Sequence, residues 1–307
     1  MKFSQLPHSV LMIRPASFGY NQETAGSNAF QRNDIQPADV VSAAAVAEFD
    51  KMVDLLQSHD IEVIVVQDNT DVVLPDAVFP NNWISFHEDG FVILYPMMAE
   101  NRRLERRSDL IDKLKKDFRV SNVIDFSGHE SENAFLEGTG SVIFDHSHKK
   151  IYACLSPRTH ETLIQKLAGV LSYQSIVFRA FDENKTAIYH TNVMMSIGNG
   201  FVVICLDAIP DEDQDLVLES FATDDMKVIA ISYQQMHAFA GNMLTVKNKN
   251  GEAVQLMSET AFKSLIPGQI NEMSKYAEIL PIPIDTIERY GGGSVRCMLA
   301  GVHLPRK

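Results

Sequence analysis

The stretch Tyr290-Gly291-Gly292-Gly293-Ser294-Val295-Arg296-Cys297-Met298 places a cysteine behind a glycine run near the end of a 307-residue chain. Glycines let backbone approach a ligand without interference from Cβ, and a thiol that follows them is well placed to stand in a cleft as a nucleophile. On this segment alone a Gly-rich turn with an incidental buried thiol fits as well. A nucleophilic cysteine needs a base or a positive neighbour to hold it as thiolate, and a further group to orient that base. The chain has 10 histidines, so composition does not choose among them. Context narrows the field. His190, in Tyr189-His190-Thr191-Asn192-Val193-Met194, stands at the head of an apolar strand-like run, and Glu137, in Phe135-Leu136-Glu137-Gly138-Thr139-Gly140-Ser141, stands beside glycines just before another. Asp145-His146-Ser147-His148 has the spacing of a metal pair. It lies between two strand-like runs with no third ligand pattern, however, so it reads as a polar turn and no metal site is expected.

The elements that must position these residues alternate along the whole chain. Short apolar runs rich in Val, Ile and Phe predict strands at 10–13, 61–66, 91–95, 141–144, 151–155, 193–197, 201–206, 227–231, 243–246 and 254–257. Asp89-Gly90, Asn199-Gly200 and Asn250-Gly251 have the form of hairpin turns. Helices are predicted at 38–57, where Val41, Ala45, Phe49, Met52, Val53 and Leu56 form a stripe, and at 108–116, 159–171, 211–221, 259–265 and 269–278. The acidic run Asp211-Glu212-Asp213-Gln214-Asp215 falls at a helix start, where carboxylates complement the dipole. No Pro/Ser-rich linker or composition break interrupts this order. The expectation is one domain, residues 1–307, of repeated βαβ-like α/β units.

With 40 acidic and 27 basic side chains the net charge is −13, which disfavours nucleic acid and anionic membrane surfaces as partners. No stretch reaches the ~20 apolar residues of a membrane helix, and no signal peptide is read at the N-terminus. Cys154, Cys205 and Cys297 are odd in number and form no C-x-x-C, which argues against a disulfide framework and fits a cytoplasmic location. Cys154 and Cys205 sit in apolar runs and read as small buried hydrophobes. A small-molecule substrate is the expected partner, and self-association into a homo-oligomer is left open.

Several segments, in order, resemble the guanidine-modifying superfamily of arginine deiminases, dimethylarginine dimethylaminohydrolases and amidinotransferases. Leu74-Pro75-Asp76-Ala77-Val78-Phe79-Pro80-Asn81-Asn82 is similar to Leu-Pro-Asp-x-Val-Phe-x-Glu-Asp of the dimethylaminohydrolases, and Arg102-Arg103 follows at the spacing of their arginine pair. Leu136-Glu137-Gly138 resembles Leu-(Asp/Glu)-Gly-Gly-Asp, Ser156-Pro157-Arg158-Thr159 resembles Ser-x-Arg-Thr, His190 heads what is usually His-Leu, and the glycine run ends on the family's cysteine. Each motif alone is weak; their order makes the signal. The resemblance implies the pentein fold, a five-bladed α/β propeller of ββαβ-like units with its site in the central channel. It further implies Cys297 as nucleophile, His190 as general acid/base, Glu137 as the carboxylate near His190, and Arg158, with Arg103 or Arg102, as the grip on a substrate carboxylate. It implies no metal and no organic cofactor.

The sequence departs from the family where the head group is read. Asn81 and Asn82 stand where dimethylaminohydrolases have Glu and Asp, and Asn192 stands where deiminases have the Asp of His-Leu-Asp. A buried guanidinium needs carboxylate compensation, whereas an amide offers a donor and an acceptor and suits a neutral ureido group. The expected activity is therefore a cysteine hydrolase of C–N bonds acting on citrulline or a similar ureido amino acid, which resembles the citrulline-utilisation hydrolase type. A carboxylate from Asp76 or Glu132 would restore guanidinium binding and make the enzyme an arginine or methylarginine deiminase or amidinotransferase. A pentein without catalysis, acting as a binding protein, is the remaining alternative. Residues 16–31 are polar and Gly-containing, and read either as a lid or as an ordinary surface loop.

Overall fold

The computed structural model describes residues 3–26, 28, 30–34 and 36–307. Its strands are β1 (Ser9–Arg14), β2 (Glu62–Gln67), β3 (Ile84–Phe86), β4 (Phe91–Leu94), β5 (Asn122–Asp125), β6 (Ile143–Asp145), β7 (Lys150–Cys154), β8 (Gln174–Phe178), β9 (Met195–Ile197), β10 (Phe201–Ile204), β11 (Lys227–Ala230), β12 (Leu244–Lys247), β13 (Ala253–Ser258), β14 (Glu278–Ile282) and β15 (Ala300–Val302). They form five three-stranded sheets, β15-β1-β2, β3-β4-β5, β6-β7-β8, β9-β10-β11 and β12-β13-β14. In each, the first strand pairs antiparallel with the second and the second pairs parallel with the third. The result is a five-bladed α/β propeller.

Local chemistry explains the repeat. The hairpins at Gly90, Gly200 and Gly251 turn through positive φ of 86°, 88° and 86°, a region that side-chain-bearing residues rarely enter. A parallel third strand requires a crossover, and helices supply it. Helix Ala38–Ser58 joins β1 to β2 and buries Val41, Ala45, Phe49, Met52 and Leu56, every third or fourth residue, in a cluster with Val10 and Met12 of β1. Each such large side chain removed from water contributes about 1.5–3 kcal/mol. The blade that begins with β15 and continues with β1 joins the two ends of the chain, pairing Ser9 with Val302.

The first strand of every blade, β3, β6, β9, β12 and β15, is a sheet edge facing the axis, and β15 lies beside β3, β6 beside β9 and β9 beside β12. Four of these strands follow directly on a short helical turn: Pro80–Asn82, Gly138–Ser141, Thr191–Met194 and Val295–Met298. The fifth, β12, follows the turn that contains Gly241-Asn242.

Several readings shift. Residues 141 and 193–194 belong to the turns and not to strands, because their backbone closes helically before the sheet begins. The helix expected at 269–278 is Pro267–Met273, and Glu278 already starts β14, whose Ile279, Leu280 and Ile282 follow strand periodicity. Strands β3, β5, β8, β14 and β15 were not among those expected. Among the described residues no helix is long and apolar enough to cross a membrane.

Candidate active site

The turns that lead into the blades bring the expected residues together at one end of the channel. Cys297 sits on the turn Val295–Met298, buried, with its backbone N–H on Ser294 O at 2.9 Å; Ser294 in turn donates to the buried Glu288 (2.6 Å). Two side-chain amides face its sulfur: Asn192 Nδ2 at 3.4 Å and Asn242 Nδ2 at 3.3 Å. The orientation of the Asn242 amide is set by its other bonds, since Nδ2 donates to Asn192 O (3.0 Å) and Oδ1 accepts from Arg296 N (3.0 Å). A neutral thiol can instead donate to Asn242 Oδ1 at 3.6 Å. The Asn242 amide can thus face the sulfur either as a donor or as an acceptor.

His190 caps the turn Thr191–Met194 and its Nε2 donates to Glu137 Oε2 at 2.8 Å. Glu137 is wholly buried, accepts from Met98 N at 3.0 Å and lies 3.4 Å from Arg158 Nη1. Burial alone would raise its carboxyl; Arg158, the His190 hydrogen bond and Arg102 together outweigh it and hold Glu137 well below the usual carboxylate range. Burial lowers the imidazole of His190 and Glu137 opposes that shift. A carboxylate so held keeps Nε2 protonated and leaves Nδ1 as the working nitrogen. Gly140 makes room for that atom: a Cβ there would lie 2.8 Å from His190 Nδ1 and 2.3 Å from Asn82 Nδ2.

The remaining expected residues divide. Asn81 is fully buried and both atoms of its amide lack a hydrogen-bond partner, as does Asn192 Oδ1. Asn82 is engaged, accepting from Arg102 Nη1 (2.9 Å) and donating to Glu137 O (3.4 Å). Arg158 Nη2 donates to Thr24 O (3.3 Å), and its guanidinium lies 5.2 Å from the centre of the Tyr189 ring. Arg102 is buried in a two-bond pair with Glu105 (2.9 Å each) and stands 3.8 Å from Asp76; these carboxylates overcome the effect of burial and keep it charged. Arg103 does not join the group around the sulfur. It donates to Met97 O and Met98 O and faces Glu130, which fixes the loop after β4 whose Met98 amide holds Glu137.

Two more residues complete the site, Asn242, which was not expected, and Asp76, expected only under the guanidinium-binding alternative. Asn242 had no charge or motif to mark it; its signal is positional, the polar residue on the turn ahead of the fifth blade. Asp76 is buried, takes Asn21 Nδ2 (2.8 Å) and Thr24 Oγ1 (3.4 Å) on Oδ2, and leaves Oδ1 without a partner. Burial raises its carboxyl, with Arg102 opposing. Glu132 lies at the surface on His129 and offers the site nothing. The described part of 16–31 runs against the glycine run, with Asn28 Nδ2 and Gln31 Nε2 both on Gly291 O (3.2 and 3.1 Å); residues 27 and 29 lie outside the described set.

The site brings together a cysteine, a histidine–carboxylate pair and a buried arginine, in the order the motifs had suggested. The sequence model of the family described as eukaryotic N,N dimethylarginine dimethylhydrolase matches residues 14–304. The chain belongs to that family. Solved structures give this dimethylarginine dimethylhydrolase family member the pentein propeller. The N-terminal domain of ArgZ, a cyanobacterial arginine dihydrolase solved as a cysteine-to-serine mutant bound to substrate, superposes with a TM-score of 0.76 at 16% identity, over 97% of this chain and 98% of that one. A cysteine-to-alanine mutant of AgrE with L-arginine gives 0.74 at 19% identity; this chain spans 40% of the AgrE chain. A DDAH from Pseudomonas aeruginosa, a cysteine-to-serine mutant with citrulline, gives 0.64 at 14% identity over 98% and 100% of the two chains. Curated proteins yield no match.

Away from the site, Asp145, His148 and Asp224 bring ligand atoms within 4.8 Å of one another at the β6–β7 hairpin. His148 Nδ1 bonds Asp145 Oδ2 (2.8 Å) and the Lys150 ammonium already sits on Asp224 (2.6 Å), so the hairpin is an ion-paired turn.

Proposed function

We propose that residues 1–307 form one cytoplasmic catalytic domain, a cysteine hydrolase that cleaves a C–N bond of a ureido amino acid, citrulline first. The observation that carries this is the set of amides at the nucleophile: Asn192 and Asn242 on the sulfur, and Asn81 buried with both polar atoms unmatched. A ureido group presents N–H donors and one carbonyl acceptor, and would satisfy these amides without bringing in a charge. In this scheme the Cys297 thiol proton passes to His190 Nδ1 as the sulfur attacks the ureido carbon, and His190 then gives that proton to the departing δ-nitrogen. The free amine leaves and a carbamoyl thioester remains. Water, deprotonated by His190, then attacks that carbon, and carbamate departs as the thiol re-forms. Glu137 keeps the imidazole oriented and stabilises its charged form. Arg158 and Arg102 would direct the substrate carboxylate by their field.

A second reading rests on Asp76, whose unmatched Oδ1 could meet a cationic group of arginine or a methylated arginine; the family match and the arginine-binding neighbours favour it too. Incubation with citrulline, arginine, methylarginines and agmatine separates the two. Ornithine and ammonia from citrulline support the first reading. Citrulline accumulating from arginine, with citrulline itself inert, rejects it.

A further inference from the structure

The five inner strands continue past the site turns around a second constellation that the proposed chemistry does not use. Between them lies a cavity of about 50 Å³, several times the ~10–15 Å³ one water occupies. Its walls carry His87, His146, His303 and Arg296, with the small polar side chains Ser85 and Thr245 between them.

The charge here is one-sided. Arg296 is buried and its Nη1 donates to Leu299 O at 2.8 Å; no carboxylate among the described residues forms an ion pair with it. The charges that act on the three imidazoles are one another, His8 and Arg296, all of positive sign, and together with burial, the larger effect, they hold the rings neutral. The rings are close: His146 and His303 lie 4.1 Å apart between centroids and His87 and His146 5.8 Å. His146 Nδ1 is matched by the Tyr173 hydroxyl (3.0 Å). His87 Nε2 meets the Ser85 hydroxyl (2.8 Å), which the Tyr95 hydroxyl can supply in turn (2.7 Å), while the buried Nδ1 of His87 has no partner. If Tyr95 donates to Ser85 and Ser85 to His87, Nδ1 carries the proton and is a donor without an acceptor.

Arg296 has no carboxylate partner among the described residues, and the one negative group that acts on it is the neighbouring Cys297; a buried guanidinium so placed, surrounded by neutral rings with N–H to give, is a setting built for negative charge. A metal ion does not fit. The three histidines do not bring their ring nitrogens within ligand distance of a common point, since the sole group of that kind among the described residues is the Asp145 hairpin, and Arg296 repels a cation. The geometry points to a binding site in the propeller channel for one small inorganic anion of halide size, held by Arg296 and the imidazoles of the channel wall. The site is independent of which substrate Cys297 attacks.

Crystals soaked in sodium bromide test this directly. An anomalous bromine peak inside the channel, in contact with the Arg296 guanidinium, is the expected result. In solution the melting temperature should stand a few degrees higher in bromide than in gluconate of equal ionic strength, and Arg296→Met should abolish the difference. Should Arg296→Met fail to fold, the wild-type bromine map decides alone. Bromine peaks confined to the protein surface, that is, adventitious ions only, would overturn the proposal. So would equal melting temperatures in the two salts.

Discussion

Replacing Asn192 by aspartate sets a carboxylate where an amide nitrogen now faces the Cys297 sulfur at 3.4 Å. Two like charges about 4 Å apart at an effective dielectric near 20 repel by about 4 kcal/mol. With 1.36 kcal/mol per decade, the thiolate population at a given pH falls roughly a thousandfold. Iodoacetamide alkylation followed by peptide mass spectrometry reads this out, because the thiolate is the reacting form. Cys154 and Cys205 serve as internal references: both are buried, and burial pushes each thiol up to about 11. Asn192→Ala is the partner variant. It removes only a donor, worth about 1 kcal/mol, so alkylation should slow roughly fivefold. The same aspartate would attract a guanidinium, so the ratio of arginine turnover to citrulline turnover should rise even as both rates fall. Alkylation of Asn192→Asp at the wild-type rate, with the substrate ratio unchanged, would refute the placement of this amide at the sulfur and its part in reading the head group.

Other expectations follow from the same geometry. Glu137→Gln deprives His190 of a charged acceptor worth about 1.5–3 kcal/mol, so kcat should drop by roughly one to two decades. Because Glu137 opposes the effect of burial on His190, the acidic limb of the pH–rate profile should move to lower pH; an unmoved limb would detach Glu137 from the imidazole. Gly140→Ala drives a Cβ to 2.3 Å from Asn82 Nδ2 and 2.8 Å from His190 Nδ1, and should abolish turnover while circular dichroism keeps the native spectrum. Acid should destabilise the fold from the channel. His87 is held neutral down to about 3 and His146 and His303 are also lowered. Unfolded histidines take up protons near 6.5 while these do not. Stability contributed by keeping them neutral is complete above that pH and is lost below it, by up to about 1.4 kcal/mol per pH unit for each ring until it protonates in the folded state. Urea midpoints measured across that range check the slope, and His87→Phe should flatten it.

The middle strands of the blades were the most legible part of the fold. Runs such as Phe201–Ile204 are buried throughout, and their composition shows it. The third strands were harder: Asn122–Asp125 has no fully buried residue, and Glu278–Ile282 follows a helix closely enough to be absorbed into it. Inner strands Ile84–Phe86 and Ala300–Val302 are three residues long, too short to show a period. The pairing of β15 with β1 joins opposite ends of the sequence, where no local pattern reports it. In the site, Cys297 and Glu137 stood out beside glycines, and His190 and Arg158 through family-like motifs in the right order. Asn242 did not, because an isolated Gly-Asn has many uses, and it gains meaning only when five inner strands are seen to begin alike. Sequence did not show how Arg102 and Arg103 are held: in the fold Arg102 is paired with Glu105, and Arg103 donates to backbone carbonyls and faces Glu130.

The central claim, that Cys297 attacks the carbon of a ureido group, is tested most directly by acid-quenching the protein during turnover and weighing it intact. With citrulline, the account predicts a carbamoyl group on Cys297 that appears within the first turnover, decays as substrate is exhausted, and is absent from Cys297→Ser. An amidino-type adduct formed from arginine, with Cys297 unmodified by citrulline at any time, would contradict it.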